Sequence, residues 1–132
     1  MNRGMSASSD EPRCVLLTGA TGLLGAFVLD ELLRVGTSEV RCLVRCSEAA
    51  SAKSRLRAHL QRLRLEATAL DERVVVVPGD LGVPELGLSP REHEALAGRI
   101  DAVVHAGALV DFLRPFAALR AVNVDGTARV LG

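Results

Sequence analysis

Residues 14–25 read Cys14-Val15-Leu16-Leu17-Thr18-Gly19-Ala20-Thr21-Gly22-Leu23-Leu24-Gly25. A short apolar run, Cys14 to Thr18, passes directly into a turn with a glycine at every third position. A helical pattern follows, with Phe27, Val28, Glu31, Leu32 and Val35 at helical spacing and Gly36 as a stop signal. A strand, a glycine-spaced turn and a helix thus occupy the first ordered stretch of the chain.

The same alternation continues outward from this unit. Glu39 to Arg45 reads as a second strand, and Ala49 to about Ala67 as a long helix with Leu56, Leu60 and Leu63 on one face. Arg73 to Val77 is a third strand, Pro78 to Pro90 a Gly- and Pro-rich loop, and Pro90 to Ala97 a short helix with Pro90 at its first turn. Asp101 to His105 is a fourth strand, and Pro115 to Leu131 a last helix. Strands that are apolar without alternation, separated by helices, predict an α/β fold: a parallel sheet covered on both faces. With right-handed crossovers this is a Rossmann-like doubly wound sheet, its four strands in the order 3-2-1-4. Strand 4 is then an open edge, and an apolar edge strand invites pairing. The expectation is an incomplete domain over residues 13–132, preceded by a disordered lead over residues 1–12.

The glycine turn has a physical use. Gly19 suits a tight turn, Gly22 a close approach of backbone to a pyrophosphate, and Gly25 close packing of helix on strand. The helix start offers free N–H groups and partial positive charge to phosphates. Gly19, Thr21, Gly22, Leu23, Leu24 and Gly25 are therefore candidate cofactor-binding residues, with an ordinary structural turn as the alternative. NAD binders usually place an acid at the end of the second strand for the ribose 2′-hydroxyl. Here the strand ends Leu43-Val44-Arg45. A guanidinium there suits a 2′-phosphate through charge-assisted bonds, which argues for NADP(H). Arg55, on the next helix, is the candidate second phosphate ligand. Glu48 lies nearby in sequence and is the alternative ribose ligand.

Composition narrows the other classes. The chain has 132 residues, 16 basic and 16 acidic, so no net charge draws it to nucleic acid or an anionic membrane. Lys53, Arg57, Arg62 and Arg64 read as a solvated helix face rather than a nucleic-acid patch, since no aromatic residues interleave with them. No apolar run approaches the roughly 20 residues that span a bilayer. The lead is Ser-rich and polar with no hydrophobic signal region, from which a cytoplasmic location is expected. Cys14, Cys42 and Cys46 are too few and too poorly matched with His59, His93 and His105 to predict a metal site or a disulfide framework.

Thr18-Gly19-Ala20-Thr21-Gly22-Leu23-Leu24-Gly25 resembles the extended branch of the short-chain dehydrogenase/reductase superfamily. Leu43-Val44-Arg45, Val74-Val75-Val76-Val77-Pro78-Gly79-Asp80-Leu81, Val103-Val104-His105-Ala106-Gly107-Ala108 and Asn123-Val124-Asp125-Gly126-Thr127 sharpen the match. Together they are similar to the thioester reductase domains that end carboxylic acid reductases and some non-ribosomal peptide synthetases. The resemblance implies that Asp80 and Leu81 contact the adenine and that Ala106, Gly107 and Ala108 line the cofactor beyond strand 4, with a turn cap for Asp80 and an ordinary loop glycine for Gly107 as the alternatives. It also implies that Asn123 helps organise the catalytic proton relay, a local side-chain bond to backbone being the alternative. His105 reads as a satisfied strand-end histidine. The implied reaction is NADPH-dependent reduction of an acyl thioester on a phosphopantetheine-bearing carrier to an aldehyde or alcohol.

The chain departs from that pattern in four places. Ala106 and Asp111 stand where relatives commonly carry Asn, and Phe116 where Tyr often follows Pro. The superfamily's Tyr-x-x-x-Lys pair is absent, because the chain has no tyrosine and Lys53 is its single lysine. The chain by itself is expected to be catalytically inert. Another extended reductase, such as a sugar-nucleotide epimerase, and a non-catalytic nucleotide-binding or interaction module remain as alternatives.

Overall fold

A computed structural model describes residues 11–67, 69–107 and 125–131. Four parallel strands form one sheet in the order β3-β2-β1-β4. They are β1 (Cys14–Thr18), β2 (Glu39–Val44), β3 (Val74–Pro78) and β4 (Ala102–His105). Leu17 lies beside Cys42 on one side and Val104 on the other, and Cys42 lies beside Val76. The order is the one the sequence predicts for the first four strands of a doubly wound sheet.

Successive strand residues point to opposite faces, so the sheet feeds two cores, one on each face. Leu17, Val40, Cys42, Val44, Val74 and Val76 meet α1 (Leu23–Val35) and α2 (Ala49–Arg62) through Ala26, Leu29, Leu33, Ala52, Leu56 and Leu60. On the other face Leu16 and Leu43 meet Leu86 and Leu96, backed by Val77, Leu81, Leu88, Ile100 and Val130. A one-turn helix, α3 (Leu70–Arg73), precedes β3. Leu96 belongs to α4 (Pro90–Ala97), and Val130 to α5 (Asp125–Leu131). Ser89 caps α4 with a full capping box to Glu92, and Pro90 sits in its first turn.

The structure decides one point that spacing left open and corrects two sequence expectations. The buried stripe of α1 is Gly25, Ala26, Leu29 and Leu33, whereas Phe27 and Val35 are exposed. Most positions of α1 are apolar, so periodicity alone does not single out the buried face; the packing of Gly25 on the turn does. α2 stops at Arg62 rather than near Ala67. Arg64 takes a left-handed conformation, and Leu65 N–H bonds the Leu60 carbonyl, closing the helix without a glycine to announce it. Arg73 lies not in the third strand but at the end of α3. A 3₁₀ turn over Pro84–Gly87 interrupts the loop after β3.

Glu11 and Pro12 are tied down: the Glu11 carboxylate accepts from Thr37 N–H, and Ser38 donates to the Pro12 carbonyl. Of the last helix expected from sequence, only Asp125–Leu131 falls among the described residues, and it is helical. Among the described residues no helix is long and apolar enough to cross a membrane.

Candidate functional site

The glycine turn sits at the carboxyl end of β1, between β2 and β4. Gly19 has φ +84°, and a Cβ there would lie 2.5 Å from the Ala106 carbonyl and the Gly107 nitrogen. A Cβ on Gly25 would run into the Gly19 carbonyl oxygen. Those two glycines are required by the fold itself. Gly22 is different. Its φ is −91°, and an added Cβ would meet only the Gly19 carbonyl oxygen, at 3.4 Å. Nothing within the described protein demands a glycine there, so the open space beside its backbone is available to a ligand.

Gly22 caps α1 without a side-chain bond. The N–H groups of Leu23 and Leu24 therefore have no intrahelical acceptor and lie at the positive end of the helix dipole. The turn is held by Gly22 N–H donating to the Gly19 carbonyl at 3.0 Å and Ala26 N–H to the Gly22 carbonyl at 3.2 Å. One further bond comes from a residue that sequence reasoning passed over. His59 of α2 places Nε2 3.0 Å from the Gly22 carbonyl oxygen. No sequence signal marks it, because the partner lies 37 positions away.

Arg45 follows β2 directly and is exposed. Arg55 is exposed on α2. Neither has an ion-pair partner among the described residues. Two other cations of α2 are consumed: Lys53 donates to the carbonyls of Asp71 and Val74, and Arg57 pairs with Asp71. Glu48 is the N-cap residue of α2, and its carboxylate accepts from the Ser51 hydroxyl.

Beyond β4 the backbone approaches the turn closely. Ala106 N–H extends the ladder to the Thr18 carbonyl, and Gly107 N–H donates to Thr18 Oγ1 at 3.1 Å. A Cβ on Gly107 would stand 2.7 Å from Leu81 Cδ1 and 3.0 Å from Thr18 Oγ1. Thr18 is fully buried, and its hydroxyl lies 2.5 Å from His105 Nδ1. His105 Nε2 lies 2.9 Å from Thr127 Oγ1 on α5. Thr18 Oγ1 thus accepts from Gly107 N–H and also engages Nδ1, and His105 bridges Thr18 and Thr127 through its two ring nitrogens. Both ring nitrogens are engaged, and burial pushes the His105 pKa below its ordinary value.

The remaining candidates are placed as follows. Asp80 Oδ1 accepts from Gly82 N–H at 2.7 Å, closing an Asx-type turn, while Oδ2 has no hydrogen-bond partner among the described residues. Leu81 packs against Gly107 and Gly126, and its carbonyl accepts from Arg129. Thr21 is exposed beside the turn. Ala108, Asn123, Asp111 and Phe116 lie outside the described residues. Cys42 is sealed in the core, where burial pushes its thiol up to about 12.

A glycine-lined turn, an uncapped helix start and two guanidiniums without ion-pair partners fit a nucleotide carrying a pyrophosphate and a further phosphate. Comparisons with known proteins give this geometry a family. A linear gramicidin synthase polypeptide of Brevibacillus parabrevis is 45% identical over 119 residues, which is 90% of this chain and 2% of that protein. The terminal R domain of the myxalamid PKS-NRPS pathway superposes with a TM-score of 0.89 at 46% identity, over 93% of this chain and 32% of that one. A thiolation-reductase di-domain from an archaeal non-ribosomal peptide synthetase gives a TM-score of 0.72 at 26% identity, over 92% of this chain and 25% of that one. The chain thus spans a third or less of each of these relatives. The NAD-binding family model described as Male sterility protein matches residues 17–132. The chain belongs to that family, as the NAD(P)-binding portion of a terminal-reductase-type domain.

Proposed function

We propose that this chain holds NADP(H) for a thioester reductase that converts a carrier-bound acyl group to an aldehyde or alcohol. The observation that carries this reading is the pairing of the open Gly22 turn with Arg45 and Arg55, two guanidiniums with no ion-pair partner among the described residues. The N–H groups at the start of α1 bind the pyrophosphate, and Arg45 with Arg55 neutralises the 2′-phosphate. Asp80 Oδ2 faces the adenine amine, and Gly107 lets the backbone after β4 lie close to the cofactor. When bound, the reduced nicotinamide supplies a hydride. The protein's share is binding and orientation. Asn123 serves the proton relay, and Lys53, already committed to two carbonyls, takes no part in it.

The acyl partner is a phosphopantetheine carrier. A relative in which thiolation and reductase domains adjoin supports this.

The test is a calorimetric titration of the chain with NADPH and NADH. NADPH should bind more tightly, and Arg45→Ala should cost NADPH about 10- to 100-fold while leaving NADH nearly unchanged. Equal affinities would favour an NAD-dependent extended reductase, and no binding of either would overturn the reading. A second expectation concerns turnover. The 132 residues contain no tyrosine to donate a proton, so the purified chain should not reduce an acyl thioester with NADPH. Steady NADPH oxidation dependent on that substrate would contradict it.

A further inference from the structure

His59 is the one side chain among the described residues seen to hydrogen-bond the backbone of the glycine turn. A carbonyl only accepts, so Nε2 carries the proton and donates to Gly22. Gly22 and Leu23 share a peptide group. Hydrogen bonding at its oxygen polarises the group and makes the N–H at the other end, that of Leu23, a stronger donor. That N–H is the first uncapped donor of α1. The bond also ties the turn to α2.

Arg55 and His59 are four residues apart on α2 and so lie one above the other on the same side of the helix. We propose that His59 is a positioning residue for pyrophosphate-bearing nucleotides. It sets the glycine turn and sharpens its N–H donors, while Arg55 on the same helix face reaches for the 2′-phosphate. α2 then couples the two charged ends of the adenosine half of the cofactor. This rests on the NADP(H) reading above.

Two probes separate the roles. NADP⁺ carries both the pyrophosphate and the 2′-phosphate; adenosine 2′-monophosphate carries only the latter. His59→Leu should weaken NADP⁺ by about 3- to 10-fold, the loss of one hydrogen bond. It should leave adenosine 2′-monophosphate within about two-fold of the parent. His59→Gln, which keeps an N–H donor, should recover most of the NADP⁺ affinity. His59→Met keeps bulk without a donor and replaces the leucine variant if that one fails to fold. Unchanged NADP⁺ binding in the leucine or methionine variant would overturn the inference, as would equal loss of both probes without rescue by glutamine. A parent chain that binds neither probe would overturn the cofactor reading and this inference with it. A parent that binds both, with His59 variants unaffected, would overturn this inference alone.

Discussion

Three glycines spaced alike in sequence are not alike in the fold. Gly19 is fixed by backbone conformation and by contact, Gly25 by contact alone, and Gly22 by neither. Substitution should separate them. Gly25→Ala drives a methyl into the Gly19 carbonyl and should destabilise the chain by about 3 kcal/mol or more. Gly22→Ala should change stability by less than about 1 kcal/mol, yet weaken NADPH binding about ten-fold. Urea denaturation and nucleotide titration on the same two variants check both halves. The motif was legible because its glycines are adjacent in sequence. A turn cap was legible as the alternative role of Asp80, and Gly82 N–H on Oδ1 makes that turn; the engagement of Lys53 by two carbonyls was not legible, because a side chain's partners depend on turns and contacts that residue type does not specify.

Among the elements, α1 shows how a distant residue completes a helix. Of its last carbonyls, that of Leu32 accepts from the Gly36 N–H at 3.2 Å, and the rest have no helical donor. Arg73, at the end of α3, donates to Leu32 and Leu33 at 3.1 and 2.8 Å and to the Ser38 carbonyl at 2.9 Å. The cation also sits at the negative end of the helix dipole. Arg73→Met should lower stability by about 2 kcal/mol, seen as a lower urea midpoint with an unchanged slope. The sequence places a helix stop at Gly36, and α1 ends at Val35. It placed Arg73 in a strand because charge at a strand start is ordinary, and the carbonyls it serves lie about 35 to 41 positions earlier. The early end of α2 escaped for a related reason: Arg64 adopts a conformation usually left to glycine.

Across the whole molecule, one hydrogen-bonded chain joins β1, β4 and α5 through Thr18, His105 and Thr127. It carries a pH signature. Burial lowers the folded-state pKa of His105 below the ordinary 6.5. As pH falls through 6.5, the unfolded chain takes up the proton first, so protonation favours unfolding. The stability contributed by neutral His105 is complete above about 6.5 and is lost between that value and the lower folded-state pKa. Urea midpoints from pH 8 to 5 should fall more steeply for the parent than for His105→Gln. Parallel slopes would show that His105 does not titrate differently on folding.

The sequence by itself determined the order of elements, the parallel sheet and the place of the glycine turn. Each follows from local pattern: unbroken apolar strands, helical spacing between them, and glycines beside one another in the chain. Only the tertiary structure decided which face of α1 is buried, that Gly22 alone of the three glycines stands open, and that Arg45 and Arg55 stay without an ion-pair partner among the described residues while Lys53 and Arg57 are engaged. It also brought His59 to the turn and Arg73 to the end of α1. These depend on contacts between residues far apart in the chain, and such contacts are set by packing, which residue type and spacing do not encode.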